Sequence, residues 1–437
     1  MKNLAVIILA AGKGERMRSD LPKVLHSILG KPLLRHSLDA ARSLNPQKIL
    51  VVVGHKSEQV QKAFPDTDIQ WVHQAEQLGT AHAVLCAEKA LGDFKGNVLI
   101  LYGDVPLLRG ETLQSLCEAA VEKKSDLMLA TTILQDPYGY GRIVRDGVGC
   151  IAEVVEEKEA SPDEKKIKEV NPGIYLLDAQ ILKTLEKIEK SIAKGEYYLT
   201  DIVVHALKDQ QKVETFEIKD ADEIRGINNR VQLAEATQIL QKRINQHWME
   251  QGVTFVSPET TFIENTVTLS SDVILHPGVV ITGNSKIGSG SEVLAYSVIE
   301  ESVVGSGARI GPFAHLRPAS IVGDEAHVGN FVELKKTTLG KGSKANHLAY
   351  LGDAVIGEKA NIGAGTITCN YDGEKKFQTV IEDGAFIGSD TQLVAPVKVG
   401  KKAYVGSGTT VTKDVPDGAL ALSRVEQKNI PNWKKKK

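Results

Sequence analysis

The feature that most constrains this chain is a six-residue aliphatic beat in its second half. Aliphatic residues stand at Ile263, Leu269, Leu275, Ile281, Ile287, Val293 and Ile299, and after a five-residue step at Val304, Ile310, Leu316, Val322, Val328 and Leu334. The beat resumes at Leu339, Ala345 and Leu351, at Ile356 and Ile362, and then at Ile381, Ile387, Leu393, Val399, Val405 and Val411. Four positions after many of these comes a small or β-branched residue, as at Val279, Ser291, Ala308, Ala326, Ser343 and Thr391. Gly often follows the aliphatic directly, as at Gly288, Gly311, Gly329, Gly388 and Gly406. A fixed short period means stacked repeats, because one repeat cannot bury its own apolar face. Six residues are too few for a helical repeat but suffice for a short strand and a turn. Three such units close a triangular coil of parallel strands, with the aliphatic inside, the small residue where space is tight, and Gly relieving the turn.

This spacing resembles the hexapeptide-repeat, left-handed parallel β-helix family, whose members are mostly trimeric acyltransferases. At 437 residues the chain has room for two or three domains, each with its own core. Charged residues make up 25% and the net charge is −2, which argues against a general nucleic-acid surface or membrane insertion. The one charge run, lysines 434–437, reads as a solvated tail. Cys86, Cys117, Cys150 and Cys369 are far apart with no CxxC pair, which fits reduced thiols in a cytoplasmic protein and no zinc site. The apolar run 4–11 leads straight into a Gly-rich turn and reads as a strand, and no run approaches the ~20 residues needed to cross a bilayer.

Residues 1–220 alternate strand-like and helix-like segments. Strands are expected at 4–9, 49–53, 69–72, 98–102, 127–134 and 173–177, with helices between them, one opened by Pro32 near its N1 position and one over 81–90. The alternation predicts βαβ units and a mainly parallel, Rossmann-like sheet, with ligands outside the carboxyl ends of the strands. The first strand runs into Leu9-Ala10-Ala11-Gly12-Lys13-Gly14-Glu15-Arg16-Met17, followed by Leu21-Pro22-Lys23. Small residues let a backbone approach a triphosphate, and Arg16 and Lys23 bring positive charge. The string is neither a Walker A loop nor a complete GxGxxG. Tyr102-Gly103-Asp104 ends a later strand, where a carboxylate either caps the next helix or supplies a hard oxygen ligand to Mg²⁺. Gln74 offers the donor and acceptor that a pyrimidine edge needs, and Gly79 is expected to admit the base closely.

The string through Pro22-Lys23 resembles the sugar-nucleotidyltransferase signature. Over essentially its whole length the chain resembles the bifunctional bacterial family that joins an N-acetylglucosamine-1-phosphate uridylyltransferase to a glucosamine-1-phosphate acetyltransferase. That resemblance implies a nucleotide site of Leu9, Ala10, Ala11, Gly12, Lys23, Gln74, Gly79, Thr80, Tyr102, Gly103 and Asp104. It places the sugar on Gly141, Glu156 and Asn171, and Mg²⁺ on Asp104 and Asn228. One departure is Pro172, where the family usually has Thr; Pro lacks the N–H and biases Asn171 towards an extended backbone.

From about 221 to 250 the pattern turns helical, with Leu233, Thr237, Leu240, Ile244 and Trp248 on one face and Gln241, Lys242, Arg243 and Gln246 on others. In the repeats, Arg317, Lys335, His347 and Tyr350 stand at positions the beat does not require, and an insertion carrying Asn370-Tyr371 breaks it. Cations suit a sugar phosphate, and an imidazole suits proton removal near neutrality. The resemblance assigns Arg317, Lys335, Tyr350 and Asn361 to glucosamine-1-phosphate and makes His347 the general base, with Glu333 assisting. It assigns Ala364, Asn370, Tyr371, Ser389, Ser407 and Arg424 to acetyl-coenzyme A. Asn346 stands where Gly is expected, a turn position with left-handed backbone.

The expected chain is thus an α/β nucleotidyltransferase domain at 1–226, a helical linker at 227–250, and a left-handed β-helix acetyltransferase domain with a tail at 251–437. By the resemblance it is a cytoplasmic homotrimer using UTP, acetyl-coenzyme A and Mg²⁺ to make UDP-N-acetylglucosamine, a precursor for peptidoglycan and lipopolysaccharide. The rival readings are a single-activity sugar-1-phosphate nucleotidyltransferase with a structural or regulatory β-helix, and a non-enzymatic trimeric scaffold that senses sugar nucleotides.

Overall fold

The computed structural model describes residues 3–191, 195–431 and 433, so the lysine run 434–437 lies outside the described residues. The chain divides into two compact units, Met1–Leu240 and Gln241–Lys437.

In the first unit the strand Leu4–Leu9 lies buried along its whole length. Its alternate residues serve two cores, Val6 and Ile8 on one side and Ala5, Ile7 and Leu9 on the other. A strand covered on both faces needs an unbroken apolar run, which is why this one resembles a leader segment. It pairs in parallel with Lys48–Val53 and with Asn97–Tyr102, and Lys48–Val53 pairs in parallel with Ile69–His73. The βαβ alternation foretold this half. Beyond Asn97–Tyr102 the sheet turns antiparallel through Tyr175–Asp178, Leu127–Ile133, Glu169–Asn171, Gly141–Arg145 and Ile151–Val155, with Val213–Glu217 parallel to Leu127–Ile133. The helices Leu33–Arg42 and Thr80–Leu91 fall where the sequence placed them, except that Pro32 is the cap of the first and not its N1 residue.

The second unit is a coil of short parallel strands forming, among the described residues, three sheets of 10, 9 and 8 strands. The aliphatics of the beat are buried throughout, from Ile263 at 0% exposure to Val411 at 4%. Register repeats every turn of the coil: Ile281 pairs with Ile299, Ile299 with Leu316, and Leu316 with Leu334. Two of the buried hydroxyls four positions on, Ser291 and Ser343, are satisfied between coils. Ser291 Oγ donates to Gly305 O at 2.7 Å and accepts from Ala308 N at 3.1 Å, and Ser343 makes the same pair with Gly357 O and Ala360 N. Two polar contacts per hydroxyl remove the cost of burying it.

Gly311, at φ +96°, does take the left-handed region, but Gly288, Gly323, Gly329, Gly388 and Gly406 do not relieve a turn in that way. A Cβ on Gly288 would stand 2.6 Å from the Gly305 carbonyl carbon, and one on Gly323 would stand 2.7 Å from Lys341 N. They are glycines because the next coil's backbone passes too close for any side chain. Left-handed values occur instead at Tyr296, Phe313, Phe331 and Leu348. These residues stand exposed, with the first three rings stacked at centroid spacings of 5.3 and 5.4 Å. Asn346 carries no left-handed strain; it lies inside the strand Lys344–His347, and the left-handed residue is Leu348 (φ 48°).

The helix Arg230–Glu250 ends against the first coil. Ile244 and Trp248 pack on the β-helix core as the helical period predicts. Gln241, expected to face solvent, is buried instead: its Oε1 accepts from Ile263 N at 3.2 Å, and its Nε2 donates to Asn245 Oδ1 at 2.8 Å. Asn245 Nδ2 in turn donates to the carbonyls of Pro258 and Thr261. An open solenoid end leaves backbone groups without a neighbouring coil, and these amides satisfy them.

Ile310 is 0% exposed, so Ile310→Ala should lower stability by about 2–5 kcal/mol without changing the fold. Denaturant unfolding followed by circular dichroism reads this, and a loss below ~0.5 kcal/mol would show that the coil interior is not tightly packed.

Candidate active sites

Three parallel strands in register bring three loops to one edge of the first sheet. The ladder continues past the strand ends: Ala10 N donates to Val52 O at 2.8 Å, Gly103 N to Leu9 O at 2.9 Å, and Gln74 N to Val53 O at 2.8 Å. Beyond them opens a cavity of about 880 Å³ lined by Leu9 through Arg16, Lys23, Gln74, Gly79, Thr80, Tyr102, Asp104, Glu156 and Asn228. A second cavity of about 370 Å³ shares Arg16, Thr80, Tyr102, Asp104, Glu156 and Asn228 with it and adds Gly141, Asn171 and Thr200. Of the residues expected at the nucleotide and sugar, only Gly103 lines neither; it is packed behind the wall, where a Cβ would meet Leu34 at 3.1 Å and Ala10 at 3.2 Å.

At the centre, the Lys23 ammonium is paired with Asp104 and donates to Asn228 Oδ1 at 3.1 Å, and Arg16 Nη2 reaches the same oxygen at 3.0 Å. Asn228 is brought there by Ile227 N, which donates to Asp104 O at 2.9 Å. It is steadied by Gln232, whose Oε1 accepts from Asn228 N while Asn229 Oδ1 accepts from Gln232 N, a helix-capping exchange. Asp104 Oδ2 and Asn228 Oδ1 thus face one cation already. The donor set, hard oxygens converging beside a phosphate-sized loop, fits Mg²⁺. Burial, and then the carboxylates of Glu156 and Asp104, hold the Tyr102 hydroxyl well above its ordinary pKa.

Two glycines of the site differ in kind. Nothing lies within 4 Å of a Cβ on Gly12, so its missing side chain leaves room for a ligand. Gly79 has φ +114°, and a Cβ would stand 2.4 Å from Tyr197 O. Its smallness serves the chain, whose Tyr197 crosses there, and not the approach of a base. Gln74 Nε2 donates to Gly79 O at 3.1 Å and faces His82 Nδ1 at 3.0 Å, which fixes the orientation of its amide. At the sugar end, Asn171 Oδ1 accepts from Gly173 N at 3.0 Å across Pro172, and its Nδ2 donates to Tyr175 Oη. The proline's missing N–H is thereby bypassed. Sequence reasoning missed Arg142, buried and paired with Glu157 at 2.5 Å, whose carboxylate also accepts from Gly139 N and so holds the Gly139–Gly141 turn. It missed Glu196 and Tyr198 on the cavity wall as well. Arg142 directly follows Gly141, but nothing in the sequence shows its partner, and no spacing ties Glu196 or Tyr198 to the motifs.

In the second unit, register stacks Glu333 on Tyr350 and Lys335 on Gly352. Arg317 Nη1 donates to Glu333 Oε1 at 2.8 Å, and Lys335 Nζ lies 4.0 Å from Asp353 Oδ2. The hairpin insertion leans onto the same row: Asn370 donates to Asp353, and Lys376 stands beside Lys335, whose hydrogen bond and then charge lower the Lys376 pKa. His347 ends its strand exposed, and its ring partner is Asn330, one coil below in register, at 2.8 Å. With Asn330 Oδ1 accepting, Nδ1 carries the proton and Nε2 keeps its lone pair. Glu333 is engaged by Arg317, not by His347. Asn361 pairs with Lys344 at the other end of the neighbouring strand, so this chain alone does not gather it onto His347. Ala364, Ser389 and Ser407 line up on successive coils: Asp390 N donates to Ala364 O and Gly408 N to Ser389 O, with Arg424 lying over Gly406. The row is open and lined by small residues, a shape suited to a long ligand.

Gly12→Ala should keep the melting temperature and lose affinity for UTP, whereas Gly79→Ala should cost about 1–3 kcal/mol of stability through strain. Calorimetric melting beside nucleotide titration separates them, and the reverse pattern would exchange the roles given to the two glycines.

Models of known families match three stretches: the MobA-like NTP transferase domain over 6–163, the GMPPB C-terminal domain over 244–339, and six bacterial transferase hexapeptide repeats over 378–413. The "Bifunctional protein GlmU" of Pelobacter propionicus is 46% identical over 453 residues, covering 99% of this chain and 98% of that protein. The proteins of that name from Geotalea daltonii and Exiguobacterium sibiricum are 46% and 45% identical, covering 100% and 99% of this chain and 100% of each relative. With a nucleotidyltransferase cleft in one unit and a hexapeptide coil in the other, the chain belongs to the family of bifunctional GlmU proteins.

Proposed function

We infer that the chain is a bifunctional transferase of UDP-N-acetylglucosamine synthesis: it acetylates glucosamine-1-phosphate with acetyl-coenzyme A and then joins the product to UMP from UTP. The observation that carries this reading is the presence of two distinct chemistries in one chain. One unit has cations and oxygen donors converging at Lys23, Asp104 and Asn228; the other carries an imidazole held through Nδ1 by Asn330 and a row of cations at Arg317 and Lys335.

In the first reaction Arg317, Lys335 and Tyr350 hold the sugar phosphate, and Asn361 completes the site. His347 Nε2 takes the proton from the amine as its nitrogen attacks the thioester carbonyl. The C–S bond then breaks and coenzyme A leaves as the thiol. Asn330 keeps the ring oriented through Nδ1. The acetyl-coenzyme A chain runs along Ala364, Ser389 and Ser407, with Asn370, Tyr371 and Arg424 at its flanks. In the second reaction the phosphate oxygen of N-acetylglucosamine-1-phosphate, its sugar held by Gly141, Glu156 and Asn171, attacks the α-phosphorus of UTP in line. Pyrophosphate departs on the opposite side. Arg16 and Lys23 neutralise the charge that develops, and the loop 9–14 cradles the phosphates with its backbone. Asp104 and Asn228 would hold Mg²⁺, which when bound would supply a further positive charge to the phosphate oxygens.

Assembly as a homotrimer accords with the open second site and with the exposed Tyr296–Phe313–Phe331 ladder, which ends at Leu348 beside His347. A cytoplasmic location accords with the absence, among the described residues, of a helix able to cross a membrane, and with free cysteines. Sedimentation should give three times the chain mass, and a monomer that acetylates at full rate would refute the trimeric site.

Asp104→Asn should slow pyrophosphate release ~10²-fold or more while acetyl transfer stays intact. His347→Ala should do the converse, losing ~10²- to 10⁴-fold in acetyl transfer and keeping uridylyl transfer from supplied N-acetylglucosamine-1-phosphate. Separate assays of thiol and pyrophosphate read both. Unchanged acetyl transfer in His347→Ala would remove His347 as the base.

A further inference from the structure

Besides the contact between Lys23 and Asn228, a second one joins the same two segments away from the cleft. Arg230 Nη1 lies 3.1 Å from His26 Nδ1. A guanidinium only donates, so Nδ1 must accept and the ring proton sits on Nε2. Nε2 faces the Leu21 carbonyl without a well-formed hydrogen bond. His26 is buried and Arg230 exposed. Burial, and then the charge of Arg230, hold the imidazole below its ordinary pKa and so neutral.

The two residues are rigidly tied to the functional groups. His26 N donates to Lys23 O at 3.2 Å, closing the short turn Lys23–Leu25, and Leu33 N donates to His26 O at 2.9 Å. Arg230 opens the helix whose cap, Asn229, adjoins Asn228. The Lys23 ammonium that now binds Asp104 and Asn228 is also the group a triphosphate would attract. When it turns to substrate, Asn228 loses one of its two cationic partners, and Arg16, the other, is open to the same competition.

We propose that His26 and Arg230 form a positioning clamp for uridylyl transfer, keeping Asn228 beside Asp104 when Lys23 and Arg16 engage the substrate phosphates. The clamp rests on the uridylyl-transfer reading above. It acts outside the substrate's reach, since neither residue lines the two cavities of the cleft.

The test uses full-length His26→Leu, His26→Asn, Arg230→Met and the double variant His26→Leu with Arg230→Met. Four quantities are measured: kcat and KM for UTP, Mn²⁺ binding in the presence of UTP by electron paramagnetic resonance, melting, and acetyl transfer. His26→Leu should raise KM and weaken Mn²⁺ binding about tenfold, with kcat less affected. His26→Asn should recover most of the loss, because its Oδ1 stands near the position of Nδ1. Arg230→Met should match His26→Leu, and the double variant should lose no more than either alone. Acetyl transfer should stay at the wild-type rate. Since Arg230 is exposed, Arg230→Met tests the clamp even if His26→Leu fails to fold. Wild-type KM and Mn²⁺ affinity in Arg230→Met, losses that multiply in the double variant, or parallel falls in both activities would overturn the clamp. Absence of uridylyl transfer in the wild type would instead overturn the reading on which it rests.

Discussion

Both halves of this chain depend on parallel strands held in register by backbone hydrogen bonds, with neighbouring strands ~4.8 Å apart. In the first unit that register sets the ends of Leu4–Leu9, Ile69–His73 and Asn97–Tyr102 at one edge, so that Ala10, Gln74 and Asp104 emerge together. In the second it repeats at every turn of the coil, so that residues far apart in sequence, such as Asn330 and His347, stand one above the other. A slip of one residue in either would turn every functional side chain to the wrong face.

What is then added is mostly charge management. Asp104 and Asn228 are drawn together around a lysine ammonium, so the two oxygens that would receive a metal ion converge on one point. In the coil, Arg317 is matched by Glu333 and Lys335 lies close to Asp353, which offsets part of the repulsion in a row where Lys335 and Lys376 stand side by side. A bound phosphate would compete for these partners.

The β-helix was legible because its signal is local: the period repeats every few residues, and every aliphatic of the beat proved buried. The loop at Gly12 and the ends at Lys23 and Asp104 were legible for a similar reason, since short motifs follow apolar runs. What escaped was set by contacts between distant segments. The antiparallel half of the sheet, the Arg142–Glu157 pair and the Asn330 partner of His347 leave no periodic trace. Gln241 was misplaced because a polar residue on a helix is normally solvated, whereas here the open end of a coil needs its amide. The glycines were recognised but misread: at Gly288 and Gly323 the limit is the next backbone, while Tyr296, Phe313 and Phe331 take the left-handed turns that glycine would favour.

The central claim, that one chain performs both transfers in sequence, is tested most directly by supplying the pure protein with glucosamine-1-phosphate, acetyl-coenzyme A, UTP and Mg²⁺ and following free thiol and pyrophosphate separately. The account predicts that pyrophosphate follows thiol in equal final amount. Omitting acetyl-coenzyme A should abolish both, and N-acetylglucosamine-1-phosphate should restore pyrophosphate alone. Pyrophosphate released from glucosamine-1-phosphate without acetyl-coenzyme A, or no thiol release from the complete mixture, would contradict it.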